Sequence, residues 1–517
     1  MSKAATYTII LMGTTIFAKI LGFARELSLA YVYGASAISD AYVVAFSIPT
    51  IIFSGIGTAI LTSYIPIYTG LQRNEPHELK RFNNTVMTMV FMLSLGIFAV
   101  FLIFDRPIVQ LFALGFEGET LEMAVILSRI MMASILFIGV YFILQGFLQI
   151  QGSFFAVGMV SVPLNIAVVA SILFSKPETY RLLGWGVVVG YAASFLMLYI
   201  AAKRHKYSFQ PSFNFGDKNI RRLIWLVFPI FLGKAITQLN TMLDRTIASV
   251  LPEGSVSALS YANRITGFVT AVFVVSVATA IFPQLSKLSA GNNTKKLKST
   301  FVTSSGIMSL LVLPISAGIM IFSREIVSLL FLRGAFTAAD VERTAQVLFF
   351  YSFGLLAFSI KDVMINVFYA IEDTKTPTIN SIITLVLNTI FNLILLKPMA
   401  HSGLALATSL SGIITLVMLT VSLRRRIGQL GLKRLFISLF KMLLATCGMS
   451  AAVVPLYNMV FTLTQSIVAS LVIAVGCGAI IYGLLNILLR THEMGLVVVG
   501  VCEKLTGGRK KFKNRLP

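Results

Sequence analysis

Apolar residues run along this chain in long blocks, each about as long as the ~20 residues a helix needs to cross a bilayer, separated by short stretches rich in Lys, Arg, Gly and Pro. No block alternates polar and apolar with period two, so a transmembrane β-barrel is excluded and the spans are read as helices. The pattern predicts fourteen of them. Six cover 7–31, 41–68, 82–104, 122–147, 153–174 and 183–202. Six more cover 223–250, 257–286, 300–322, 343–370, 378–396 and 402–423, and two follow at 440–461 and 465–489. Pro49, Gly55, Gly57 and Pro66 predict a bend or local unwinding in the second. PIVQLFALGF and EIVSLLFLRGAF are too short to cross and are expected at the external interface, at equivalent places in the two halves.

That equivalence extends to a repeat. Arg25 stands nine residues before Gly34 and Arg245 nine before Gly254, and the segments continue as GASAISDAY and GSVSALSYA. The expected architecture is an all-α polytopic membrane protein of about fourteen helices. It has an N-terminal lobe at 1–205, a basic linker at 206–222, a C-terminal lobe at 223–426 related to the first by a parallel repeat, two additional spans at 427–490, and a basic tail at 491–517. Transporters built from such repeats bind substrate where the halves meet.

Composition agrees. The chain has 517 residues, 57% of them hydrophobic and 12% charged, with a mean hydropathy of +0.87. The net charge of +22 is unevenly spread: of 42 Lys and Arg, 28 fall in the loops and tails on one side, seven on the other and seven inside spans. That is the positive-inside pattern, not a nucleic-acid-binding face. It places both termini in the cytoplasm, and the basic loops 203–222, 287–298 and 424–441 beside lipid headgroups. The first span lacks a small-residue cleavage site and reads as a retained helix. Cys447, Cys477 and Cys502 have no ligand or disulfide spacing and read as packing residues, and the four histidines lie in loops or the tail.

Candidate chemistry lies in the charges inside spans. Lys19, Arg25, Arg129, Lys234, Arg245, Arg264 and Lys361 face only Glu26, Asp244 and Asp362, with Asp40 at a span end. At roughly 2.5–3.5 kcal/mol each, seven bases facing lipid would cost on the order of 20 kcal/mol, so they must be hydrated or paired. An interior with excess positive charge attracts an anion, and the planar fork of Arg suits phosphate oxygens. Arg129, Lys234 and Lys361 also fit the plainer reading of side chains that snorkel to an interface. A second set, Asp244 with Asn388, Asn392 and Thr408, offers oxygens to a small hard cation such as sodium; a hydrogen-bonded network or an Asp244–Arg245 ion pair fits equally.

The stretches KILGFARELSLAYVYGASAISDAYVVAF, LDRTIASVLPEGSVSALSYANRI, FPQLSK, LLFLRGAFTAAD and FYAIEDTKTP resemble, in order, the MurJ (MviN) lipid II flippases of the multidrug and polysaccharide exporter superfamily. The resemblance covers residues 10–425. It implies a monomer in the bacterial inner membrane, acting in cell-wall biogenesis and cell shape, that flips undecaprenyl-pyrophosphate-linked peptidoglycan precursor by alternating access. It further implies that Lys19, Arg25 and Arg264 hold the pyrophosphate, with Glu26 and Asp40 setting their geometry. The chain departs from the family in IPTIIFSGIG, which lacks the bases common after that proline and a later acid, in Lys19 where arginine is usual, and in Asn263 where aspartate is common. A flippase for another lipid-linked oligosaccharide or a cation-coupled drug exporter fits the same fold. A membrane transferase would need acidic metal clusters or a large soluble domain, so no enzyme and no catalytic residue are expected. Glu372–Asp373, beside Lys375 and Pro377, reads as a turn.

Overall fold

A computed structural model describes residues 3–291 and 293–505 of the chain; the basic run 509–515 lies outside them. Among the described residues the structure is helical throughout and contains no strand. The fourteen stretches expected to span fall on helices, with non-helical breaks at 133–134 and 159–161. By length and apolarity nine described helices could each cross a membrane, or ten if Gly118–Met132 and Ile135–Ile150, bent by 42°, form one broken span.

The chain divides into two compact units, Met1–Tyr261 with Phe331–Asp340, and Ala262–Leu330 with Val341–Pro517. The first holds α1 (Lys3–Tyr33), α2 (Ala37–Asn74), α3 (Leu79–Ile103), α4 (Asp105–Phe112), α5 (Gly118–Met132) and α6 (Ile135–Ile150). It continues with α7 (Phe154–Gly158), α8 (Val162–Phe174), α9 (Arg181–Arg204), α10 (Lys218–Ala248) and the start of α11 (Ser255–Val269). Helix α2 is its axis, packed against α5, α6 and α10. A Cβ on Gly57 would run into the Phe142 ring, so glycine lets α2 and α6 approach closely. Of the bend or local unwinding expected, the unwinding does not occur: α2 is continuous from Ala37 to Asn74 with Pro49 and Pro66 inside it. The Thr50 hydroxyl, next to Pro49, donates to the Phe46 carbonyl at 2.8 Å.

The second unit holds the rest of α11, a π turn at Thr270–Val274, α12 (Val275–Ala290), α13 (Thr294–Ile321) and most of α14 (Ser323–Phe331). It ends with most of α15 (Ala338–Ala370), then α16 (Lys375–Ile427), α17 (Leu432–Thr464), α18 (Ile467–Leu488) and α19 (His492–Leu505). Helix α16 is 53 residues long in name only: Ala400, at φ 49° and ψ −128°, breaks it into two antiparallel arms. Across that hairpin the hydroxyls of Thr384 and Thr415 meet at 2.5 Å, and Arg426 at its end reaches Asp373, before its start, at 3.5 Å. The two spans expected at 378–396 and 402–423 are these arms. Phe301, Met364 and Phe368 centre one core of this unit; Phe322, Met442 and Tyr457 centre another.

The two short segments expected not to cross form α4 and α14, eight and nine residues long. The turns after them make matching contacts inside the first unit. After α4, the Gly115 amide donates to Ser249 Oγ at 3.0 Å, and Thr246 Oγ1 donates to the Leu111 and Phe112 carbonyls at 3.1 Å; Thr246 and Ser249 both lie at the end of α10. After α14, the Ala335 amide donates to the Tyr31 carbonyl at 2.8 Å, at the end of α1. The turn after α4 thus rests on the end of α10, and the turn after α14 on the end of α1.

Candidate anion-binding site

Arg25 sits two turns before the end of α1, 6% exposed. Its Nη2 meets Glu26 Oε1 at 2.9 Å, and its Cζ lies 4.5 Å from the centre of the Phe46 ring on α2. Phe46 stacks on Tyr42 at 5.9 Å. A guanidinium so placed has its charge met on one edge by a carboxylate and on one face by a π-cloud. Its Nε has no hydrogen-bond partner. A buried donor without a partner costs on the order of 1–3 kcal/mol, a cost that an anion reaching it would remove.

The other residues singled out in the sequence are placed as follows. Lys19, two turns earlier on α1, is exposed; between it and Arg25, a Cβ on Gly22 would lie 3.8 Å from the Asn165 amide. Glu26 is buried with Arg25. Asp40, 2% exposed, accepts the backbone amides of Gly254 and Ser257 at 2.7 Å each. It thereby caps the first turn of α11, where free amides and the helix dipole favour a negative charge. Tyr261 and Ser39 both donate to the Gly34 carbonyl, at 3.0 and 2.7 Å. Gly34 has φ +63°, and a Cβ there would press on the Ala335 carbonyl, so only glycine suits the turn. Phe331 and Phe336 close over Tyr261 at 5.2 and 5.8 Å.

Arg264, on α11, belongs to the second unit and is exposed, as is Asn263. Of the oxygen set, Asp244 belongs to the first unit and the other three residues to the second. Those three form a ladder across the α16 hairpin: Asn392 Nδ2 donates to Asn388 Oδ1 at 3.0 Å, Asn388 Nδ2 to Thr408 Oγ1 at 3.3 Å, and Thr408 Oγ1 to the Leu404 carbonyl at 3.0 Å. Arg129 pairs with buried Asp105, its Nε 2.7 Å from Oδ2. The Lys361 ammonium lies 5.1 Å over the Phe358 ring, and Lys234 is exposed.

Sequence reasoning missed Phe46, which lies within the hairpin that drew attention but carries no charge to mark it. It also missed the amides of Gly254 and Ser257, because a backbone donor has no signature in residue type. The repeated glycine nine residues after each arginine was the one available hint that these two turns are structurally special.

The model of the family described as "Lipid II flippase MurJ" matches residues 29–476. "Probable lipid II flippase MurJ" of Buchnera aphidicola subsp. Baizongia pistaciae is 31% identical over 417 residues, covering 78% of this chain and 80% of its own. The protein of the same description from Thermotoga maritima is 30% identical over 411 residues, covering 79% and 83%. Among solved structures, "Lipid II flippase MurJ, inward closed conformation" superposes with a TM-score of 0.80 at 26% identity, over 93% of this chain and 99% of that one. An inward-facing multidrug resistance MATE family transporter of the MOP superfamily gives a TM-score of 0.67 at 16% identity, over 81% and 98%; that likeness is one of fold alone.

Proposed function

Because this chain belongs to the MurJ family of lipid II flippases, we propose that it moves lipid II, the undecaprenyl-pyrophosphate-linked peptidoglycan precursor, from the inner to the outer leaflet of the bacterial inner membrane by alternating access. The observation that carries the reading is buried Arg25, paired through one nitrogen with Glu26, lying on Phe46, and with Nε lacking a partner. A pyrophosphate oxygen reaching that guanidinium gains charge-assisted hydrogen bonds in a low-dielectric site. Glu26 competes for the same cation, so the phosphate is held and also released, as a carrier requires. Lys19 and Arg264 are further phosphate contacts in this proposal, and the undecaprenyl tail stays in lipid.

Asp40 has a different part. Its bonds to Gly254 and Ser257 tie the start of α2 to the start of α11, and opening at that end of the first unit would require them to break. In this reading the chain is a carrier and not an enzyme. It acts as a monomer with both termini in the cytoplasm, and its partners are lipid II and membrane lipids, not nucleic acid. A sodium ion on the oxygens of Asn388, Asn392 and Thr408 is a separate proposal: their mutual hydrogen bonds would have to open to admit it, so no step is derived through it. Sodium-dependent protection of α16 from hydrogen exchange would test it.

The deciding experiment is rescue of a bacterium depleted of its own lipid II flippase, with lipid II accessibility read on the outer leaflet. Rescue by the native chain and its loss in Arg25→Ala, at equal membrane expression, is the expected result. Correct insertion without rescue would move the assignment to another lipid-linked oligosaccharide, whose carrier phosphates make the same demands of Arg25.

A further inference from the structure

We propose that the ends of α17, α18 and α19, with the start of α13, form a binding site for the phosphate headgroup of an anionic membrane phospholipid. Two cavities of about 440 Å³ each lie side by side there, sharing Arg434 and Gly431. Lys433, Arg434, Lys441 and Arg490 line the first; Lys295 and Lys298 join Arg434 in lining the second. Neither wall, among the described residues, includes Asp or Glu. The acid next to this wall in sequence, Glu493, is buried against Gly306 of α13.

Six like charges around two adjoining cavities repel one another, and a bound anion relieves that repulsion. The backbone adds to the attraction. Gly431, which lines both cavities, precedes α17 in the left-handed conformation with no side-chain cap, so the positive end of the helix dipole lies at that start. Arg490 is also held at positive φ, +50°, an uncommon conformation for a residue other than glycine. Its carbonyl accepts from Lys441 Nζ at 3.4 Å, which brings the Lys441 ammonium to the turn after α18. Partial burial and Arg434 lower the pKa of His492 despite Glu493, so this wall residue is neutral at pH 7 and adds no charge.

The apolar surroundings select a lipid over free phosphate. Ile437 lines the cavity itself. Phe436 and Phe440 on α17 are both 64% exposed, and Leu488, at the adjoining end of α18, is 77% exposed. A phosphodiester among the bases would continue into acyl chains along these side chains. The positive-inside pattern assigns this end of the helices to the cytoplasmic leaflet. Nothing in the proposal depends on what the protein transports.

The test uses the full chain in nanodiscs of phosphatidylcholine, with and without phosphatidylglycerol, reading melting temperature and the lipids retained in native mass spectrometry. The native chain is expected to retain phosphatidylglycerol and to melt higher in its presence. The triple variant Lys433→Ala, Arg434→Ala, Arg490→Ala is expected to bind it roughly 100-fold more weakly. These three side chains are exposed, so melting in phosphatidylcholine alone should not change; if it does, the corresponding glutamine triple, which keeps more of each stem, replaces it. Undiminished preference for phosphatidylglycerol in the triple variant would overturn the proposal. So would an equal loss in Lys203→Ala, Arg204→Ala, Lys206→Ala, which removes three bases of the other unit. Equal stabilisation by inorganic phosphate in phosphatidylcholine discs would make this a site for free phosphate instead of lipid.

Discussion

Asp40 accepts the backbone amide of Ser257 at 2.7 Å, joining the first turn of α2 to the first turn of α11 across more than two hundred residues of sequence. Its second oxygen takes the Gly254 amide at the same distance. A single carboxylate therefore satisfies two buried donors at a helix start.

Removing that carboxylate strands both amides. Asp40→Ala should lower stability by about 3 kcal/mol, since hydrogen bonds to a charged group contribute about 1.5–3 kcal/mol each. Asp40→Asn, which keeps one acceptor, should fall between Ala and the native chain. Thermal melts in detergent check the order; identical curves for all three would show that the amides find other partners.

Arg25 requires its fork. Lysine offers one point charge where arginine engages Glu26 and still has other N–H groups for a phosphate oxygen. Arg25→Lys should weaken lipid II binding about tenfold, the loss of roughly one charge-assisted hydrogen bond. Titration of purified protein with lipid II measures it, and unchanged affinity would mean that charge alone is what matters.

Asp373 supplies a pH dependence outside the spans. Burial alone would raise its pKa, but the Thr376 amide and hydroxyl, at 3.0 and 2.8 Å, together with Arg426, hold it below the usual carboxylate value. A depressed folded pKa means that its stabilisation is complete above the unfolded value near ~4 and disappears as pH falls through the folded one. Asp373→Asn should cost about 1–2 kcal/mol at pH 7. The gap between variant and native melting temperatures should narrow as the pH falls below the unfolded value near ~4. A gap that stays constant over that range would rule out a role for the charge.

Ala400 is strained. At φ 49° and ψ −128° its Cβ crowds the backbone where glycine would not. Ala400→Gly should stabilise the α16 hairpin by about 1 kcal/mol, the relief of strain offset by the greater freedom of glycine in the unfolded chain. A higher melting temperature would confirm it; a lower one would mean that the alanine methyl has a packing partner worth more than the strain.

What could be read from residues alone was whatever repeats locally. The apolar blocks marked every long helix, because burying a stripe or spanning lipid imposes its period on neighbouring residues. They also separated the two arms of α16, which backbone hydrogen bonding runs together. The short segments before Gly115 and Gly334 were legible as too short to cross, and Arg25 stood out because charge inside an apolar block is costly. The partners of those residues were not legible. Phe46 under Arg25, the amides that hold Asp40, and the return of Arg426 to Asp373 each bring together groups distant in sequence or without a side-chain signature. Only packing decides such contacts, since a guanidinium can be met by a carboxylate or a ring, and any helix start offers the same free amides. The bases around Arg434 carry the same lesson: the chain shows them as charges in separate loops, and the cavity they line exists only once α13, α17, α18 and α19 are assembled.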